Sequence, residues 1–257
     1  MLKAVLFDLD GTLMDWSAAE PWENYESRRL ARVFEFVNQT LGPLPCSDPD
    51  AFFALYVAQL TDAWKTGNRT LHAPSLLNVM AGTLQASGVP DDRWDIEGVM
   101  GAYDWHPANG LRAYPDVLEV LPELDQHGIA LGIITNSSLP MSFRDQELRT
   151  IGLLDLFPKC RVSAVDVGYL KPHPVIFDHA LELLGVPAHE AVFVGDNLEA
   201  DICGAQNAGL RSVFRIHDSQ ETESGDGIVP DGSVHSFHEL LPLLDGWYPG
   251  WRNGDAR

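Results

Sequence analysis

The chain has 257 residues, 45% hydrophobic and 9% aromatic, which is enough for a sizeable core and excludes global disorder. Its 17 basic against 37 acidic side chains give a formal charge of -20, and no run of Lys or Arg interrupts that surface. Such a surface repels nucleic-acid backbones and anionic membranes, so neither is an expected partner.

Ala4-Val5-Leu6-Phe7 is a short unalternating apolar run that ends in Asp8, Asp10 and Gly11, which predicts a buried strand followed by a turn. Residues 17–108 carry helical periodicities, Leu30/Val33/Phe34/Val37 and Phe52/Phe53/Tyr56/Leu60, broken at Pro43, Pro45, Gly67-Asn68 and Gly88-Val89-Pro90. They predict an all-helical insertion. Val117, Leu118, Leu121 and Leu124 predict a helix between Pro115 and Gly128. Short apolar runs at 129–135, 162–165, 191–195 and 212–216 read as strands covered on both faces. A helix with Ile176, Phe177, Ala180, Leu181 and Leu184 stops at Gly185, and residues 200–208 are small enough to pack close to a sheet. The stretch 219–232 predicts a polar loop, 233–244 a last strand and helix, and 246–257 a loose tail despite Trp247, Tyr248 and Trp251. Strand alternating with helix predicts an α/β fold with a parallel sheet.

The chemistry-bearing residues fall at strand ends. Asp8-Leu9-Asp10-Gly11-Thr12 follows the first strand, at the edge where open α/β sheets bind ligands. Period-2 geometry sets Asp8 and Asp10 on one side, where two carboxylates repel unless a cation or a shared proton relieves them. Alone, the segment is equally an acidic strand end with an Asp-Gly turn. Thr135 and Asn136 end a later strand with groups that can donate to phosphate oxygens, or can cap a helix. Lys171, in Tyr169-Leu170-Lys171-Pro172-His173-Pro174, is one of only four lysines, and its stiff loop makes it a candidate counter-charge for a phosphoryl group. A solvated surface lysine is the plainer reading. Magnesium prefers one or two carboxylates plus water and substrate oxygens, so Asp196, if brought beside Asp8, would suffice. Glu199 and Asp201, just beyond, also suit a helix N-terminus.

Together, DLDGT (8–12), IITN (133–136), Lys171 of YLKPHP and GDNLEAD (195–201) resemble, in order and spacing, the four signature motifs of the haloacid dehalogenase-like superfamily. Ala113-Tyr114-Pro115-Asp116 is similar to its return hinge, Lys171-Pro172-His173-Pro174 with Ile176-Phe177 to its third-motif helix, and 201–209 to its fourth. The resemblance covers residues 1–15 and 112–245 and is only architectural across the insertion. It implies a Rossmann-like parallel sheet core flanked by helices (1–16 and 109–245), an inserted helical cap domain (17–108) and a C-terminal tail (246–257).

It also implies a Mg2+-dependent phosphatase for a small phosphomonoester. Asp8 would be the nucleophile that forms an aspartyl-phosphate, and Asp10 the general acid and base. Thr135 and Asn136 would hold phosphoryl oxygens, with Lys171 steadying both Asp8 and phosphate. Mg2+ would sit on the carboxylates of Asp8 and Asp196 and the backbone carbonyl of Asp10, with Asp201 supporting its waters.

Asp10 sets this reading apart from a 2-haloacid dehalogenase, because halide departs without a proton and an alkoxide does not. A phosphomutase would share the core chemistry, but residues 17–108 carry no mutase cap signature. A phosphonate hydrolase would need a cap lysine, and Lys65 is the one candidate. A non-catalytic binding protein would be favoured by loss of Asp8, Lys171 or Asp196, and all are present. Nine histidines form no HExxH, and no GxxxxGK[ST] loop occurs. Three scattered cysteines, no signal peptide and no long apolar run point to a cytoplasmic enzyme.

Substrate choice is expected in the cap. Trp16, Trp22, Tyr25, Trp64, Trp94, Tyr103 and Trp105 are candidates to stack on a ring, and Arg28, Arg29, Arg69 and Arg112 to meet a second anion, although solvated positions suit each arginine better. Phosphoglycolate, a sugar phosphate, a nucleotide monophosphate and a sugar-acid phosphate all stay open, as do monomer and homodimer.

Overall fold

The computed structural model describes residues 1–46, 48–90, 93–217 and 227–253. Strand β1 (Ala4–Phe7) leads through a tight turn into the short β2 (Met14–Asp15). Four helices follow: α1 (Trp22–Leu41), α2 (Pro49–Thr70), α3 (Leu76–Ala86) and α4 (Ile96–Tyr103). The chain returns through β3 (Arg112–Ala113), which pairs antiparallel with β2. The two crossings into and out of the helical region therefore lie side by side. Arg112 secures them, its Nε donating to Asp15 Oδ2 at 2.7 Å.

The remainder alternates helix and strand: α5 (Pro115–Gln126), β4 (Ala130–Thr135), α6 (Met141–Thr150), β5 (Cys160–Ser163), α7 (Ala164–Val167), α8 (Pro174–Leu184), β6 (Ala191–Gly195), a wide π turn (Leu198–Cys203) running into α9 (Gly204–Asn207), β7 (Arg211–Arg215), β8 (Gly232–Val234) and α10 (Leu240–Trp247). Six strands form one parallel sheet in the order β5-β4-β1-β6-β7-β8. From β1 the chain first builds outward through β4 and β5, then returns to build the other side from β6. The carboxyl ends of β1, β4 and β6 thus meet at the switch point.

The pleat explains the burial. Val5 and Phe7 face one side with Ile133, Val192 and Val194, under α5 and α10; Ala4 and Leu6 face the other with Ile134 and Phe193, under α8. Both faces are covered, as the unalternating runs imply. The helical insertion has its own core of Leu30, Val33, Val37, Phe52, Tyr56, Val79, Met80 and Val99. Asp48 and Asp95 cap α2 and α4 by accepting from the N–H groups of Ala51 and Gly98 at 2.8 and 2.7 Å. At Gly204 a Cβ would lie 2.7 Å from the Phe177 ring, so the small-residue stretch expected to pack on the sheet makes its close approach here to α8.

Three readings need correction. The expected strand at 162–165 lies earlier, at Cys160–Ser163, and Ala164–Val167 is a helical turn closed by Gly168 in the left-handed region (φ 89°). Arg161 hides this edge strand by breaking its apolar run, and its charge is met by Asp145 at 2.6 Å. The helix expected over 200–208 is a π turn from Leu198 before it becomes α-helical. The tail is not loose over its described part: Trp251 is buried against the sheet core, its Nε1 donates to Asp245 at 2.8 Å, and Arg252 bridges Asp245 and Glu123. Most of the loop expected at 219–232 lies outside the described residues. No helix among the described residues is long and apolar enough to cross a membrane.

Candidate active site

Asp8 continues β1 by one residue, its N–H donating to Val194 O on β6 at 2.9 Å. Its carboxylate thereby sits at the junction of three strands. Lys171 reaches it from the loop before α8, with Nζ 2.5 Å from Asp8 Oδ1, 2.8 Å from the Ile134 carbonyl and 2.7 Å from Asp201 Oδ1. The lysine is 3% exposed, so it is no surface lysine. Asn136 positions it: the side-chain amide donates to Lys171 O at 3.0 Å and accepts from Lys171 N–H at 2.7 Å. The Asn136 side chain is therefore spent on the lysine loop.

Asp196 follows β6, and its carboxylate, with those of Asp8 and Asp201, brings three oxygens within 4.8 Å of one another. Two glycines permit this approach. Gly11 adopts φ +79° and a Cβ there would fall 2.4 Å from Asp196 Oδ2; one on Gly195 would fall 2.4 Å from the Asp201 carboxylate. Asp201 is engaged on both sides, by Lys171 and by the Asn197 N–H at 3.0 Å. Asp8, Asp10, Thr135, Asn136, Lys171, Asp196 and Asp201 all line one cleft of about 170 Å³. The structure thus brings together every sequence-predicted site residue.

One ammonium does not balance these carboxylates. Burial, reinforced by Asp201 and Asp10 and only partly offset by Lys171, pushes the Asp8 carboxyl up to about 8. Burial and Asp201 likewise raise Asp196. The same surroundings raise Lys171, because Asp201 and Asp8 outweigh its desolvation. A cleft of hard oxygen donors with a surplus of negative charge fits a divalent cation such as Mg2+.

Asp10 joins this cleft to a second one. Its Oδ2 is 3.3 Å from Thr135 Oγ1, while Oδ1 accepts from Arg144 Nη2 at 2.6 Å and Trp16 Nε1 at 2.9 Å. Arg144 and Trp16 also line a cavity of about 210 Å³ between the sheet edge and the helical insertion. Of the seven aromatics singled out in the sequence, Trp16, Trp22, Tyr25, Trp64, Tyr103 and Trp105 line it and Trp94 does not. Arg29 also departs from its expected solvated position, for it is buried in this wall. Arg28 pairs at the surface with Glu20, and Arg69 is exposed.

Arg144 and Glu147 escaped the sequence reading, although a signal existed. Met141, Arg144, Glu147 and Leu148 recur at helical spacing, so the apolar face of α6 carries two charges inward. Their ion pair is 2.9 Å long with both side chains buried. Burial pushes Glu147 up to about 7 and Arg144 pulls the other way.

Residues 2–209 match the family model "haloacid dehalogenase-like hydrolase", and the chain belongs to that superfamily, its helical insertion after β2 forming the cap. A ribulose-1,5-bisphosphate 5-phosphatase of Halopiger xanaduensis is 37% identical over 95% of this chain and 99% of its own. A glyceraldehyde 3-phosphate phosphatase of Pyrococcus abyssi is 32% identical over 95% and 94%. Among solved structures, a 2-haloacid dehalogenase from Pseudomonas syringae pv. Tomato superposes with a TM-score of 0.65 at 26% identity, covering 96% of this chain and 100% of that one. With phosphatases matching over nearly its whole length, the chain is an enzyme, a phosphoric monoester hydrolase of this superfamily.

Proposed function

We propose that the enzyme hydrolyses a small phosphomonoester through an aspartyl-phosphate on Asp8, with Mg2+ as its cofactor. The observation that carries this is the convergence of Asp8, Asp10, Lys171, Asp196 and Asp201 on one cleft at the switch point. The carboxylates of Asp8 and Asp196 and the Asp10 carbonyl would hold the cation. Asp201, already fixed by Lys171 and the Asn197 N–H, would orient its waters. Bound there, Mg2+ supplies the positive charge that keeps Asp8 ionised and neutralises the phosphoryl oxygens.

A carboxylate oxygen of Asp8 attacks phosphorus, the bond to the leaving oxygen breaks, and that oxygen takes a proton from Asp10. Water then attacks the phosphorus of the aspartyl-phosphate, Asp10 takes its proton, and phosphate leaves as Asp8 is restored. With Oδ1 of Asp10 held by Arg144 and Trp16, the proton is assigned to Oδ2, which accepts only the longer 3.3 Å hydrogen bond from Thr135 Oγ1. Lys171 steadies Asp8 and the incoming phosphate. Thr135 and the backbone N–H of Asn136 serve the phosphoryl oxygens, since the Asn136 amide is committed to the lysine loop. Residues 17–108 act as the cap that closes over the leaving group, in a cytoplasmic enzyme whose three cysteines are free.

The similar dehalogenase structure does not change this reading, because halide displacement has no use for a proton carrier or a cation site. Asp8→Asn tests it directly. Phosphate release from monoesters with Mg2+, and acid-stable 32P labelling of the chain, should both vanish; retained turnover removes Asp8 as the nucleophile.

A further inference from the structure

Resting on the phosphatase reading, we infer that the cavity beyond Asp10 selects an uncharged ring-shaped leaving group, a sugar or similar polyhydroxylated ring, and rejects substrates carrying a second anionic group. The leaving oxygen must meet Asp10, which lines the cleft and is held on its other side by two residues of the cavity wall, Arg144 and Trp16. The rest of the leaving group therefore extends into the cavity. Its volume of about 210 Å³ limits what it admits to a small group of ring size.

Each charged group on the wall already has an oppositely charged partner, and the only guanidinium atoms of Arg29 and Arg144 without a hydrogen bond or ion pair among the described residues, their Nε atoms, are themselves buried. Arg29 gives Nη1 to Glu26 Oε2 at 3.1 Å and Nη2 to the His106 carbonyl, and three rings lie over its guanidinium: Tyr25 at 4.7 Å, Tyr103 at 5.5 Å and Trp105 at 5.7 Å. Glu26 receives the Tyr103 hydroxyl on its other oxygen at 2.6 Å. Arg144 is divided between Asp10 and Glu147. Two guanidiniums thus meet two cavity carboxylates, and no cation is left over for a second phosphate or a carboxylate among the described lining residues.

The neutral donors are in the opposite condition. No hydrogen bond within the described residues engages the Tyr25 hydroxyl, the indole N–H groups of Trp22, Trp64 and Trp105, or the Ser138 hydroxyl, and all five residues line the cavity. Trp105 and Trp22 are backed from behind, Trp105 by a parallel Phe143 ring at 5.1 Å and Trp22 by Phe53 at 6.0 Å. Rings so backed, with free N–H and O–H groups between them, suit a hydroxylated ring. A second anion would have to take a guanidinium from its carboxylate and leave that carboxylate buried and unpaired, which disfavours it by roughly 10²–10³-fold.

The experiment compares kcat/KM at pH 8 with Mg2+ for an aldose monophosphate, the matching aldonic-acid phosphate and the matching bisphosphate, beside acetyl phosphate. Acetyl phosphate has a small leaving group that needs no acid, so it reports the cleft alone. The neutral sugar phosphate should exceed both charged analogues by roughly 10²-fold or more. Glu147→Gln, which frees one arm of Arg144, and separately Glu26→Gln, which frees Arg29, should narrow that ratio about tenfold. Equal kcat/KM for the three sugar substrates, with acetyl phosphate turned over, overturns the cavity assignment and leaves the phosphatase reading standing. Failure on acetyl phosphate and every monoester overturns the phosphatase reading instead.

Discussion

The two concave regions that meet at Asp10 are built on opposite principles. In the cleft, Asp8, Asp196 and Asp201 crowd one ammonium, and burial raises both Asp8 and Asp196. In the cavity, each guanidinium has its carboxylate and the remaining surface is aromatic. One region is left short of positive charge, which a cation and a reacting phosphoryl group can use. The other is closed electrostatically and differs from solvent chiefly in shape and ring faces. Chemistry and selection are thus separated by charge as well as by position, with Asp10 on the boundary.

The comparison is tested hardest at the cleft. Asp8→Asn should lower kcat by about 10⁴-fold or more, because the nucleophile and its partners act as a unit. A decrease confined to KM would mean that Asp8 only binds. Lys171→Met comes next, with kcat expected to fall roughly 10²–10³-fold when a fixed charge facing the transition state is lost. It also strands Asp8 and Asp201, so the variant should be less stable than the parent without Mg2+ and recover much of the difference on Mg2+ addition. A Tm difference insensitive to Mg2+ would show that the surplus charge is not a cation site.

Arg144 tests the boundary. If it holds Asp10 rather than touching phosphate, Arg144→Met should slow alkyl monoesters roughly 10–10²-fold and acetyl phosphate far less, since only alkoxides need the proton. Equal losses on both substrates would place Arg144 in phosphate binding. Binding defects would appear in KM, positioning defects in kcat.

The cleft was legible in the sequence because its residues stand at strand ends, where apolar runs stop abruptly in Asp8, Thr135 and Asp196. Lys171 was legible from its prolines and the scarcity of lysine. The cavity was half legible: aromatic enrichment pointed to it, but helical spacing alone does not say which rings face a void and which fill a core, as Trp94 illustrates. Its ion pairs were hidden by composition. Glu26 and Arg29 lie on the same face of α1 as Leu30, Val33 and Val37, so their inward direction was written in the periodicity and masked by the habit of placing charges outside. The tail failed for the converse reason, because the Trp251 ring packs against His127 and the neighbouring Arg252 reaches Glu123, both far away in sequence.

The smallest expected effect sharpens the cavity's neutrality. Glu147 is 3% exposed, and burial raises its carboxyl from 4.5 to about 7. A carboxyl that holds its proton more tightly when folded stabilises the fold while both states are protonated. That contribution fades as pH rises from the unfolded value of 4.5 through the folded value of about 7. Glu147→Gln is neutral at every pH and should escape the loss. The Tm difference between variant and parent should therefore move in favour of the variant from pH 5 to pH 8, by an amount equivalent to about 1–3 kcal/mol. A difference constant across that range would mean that Arg144 keeps Glu147 ionised throughout. If it moves as expected, the cavity carries one extra positive charge below the transition. Its rejection of a second anion should then weaken in acid and return above neutrality, which the same substrate pairs measure at pH 6 and pH 8.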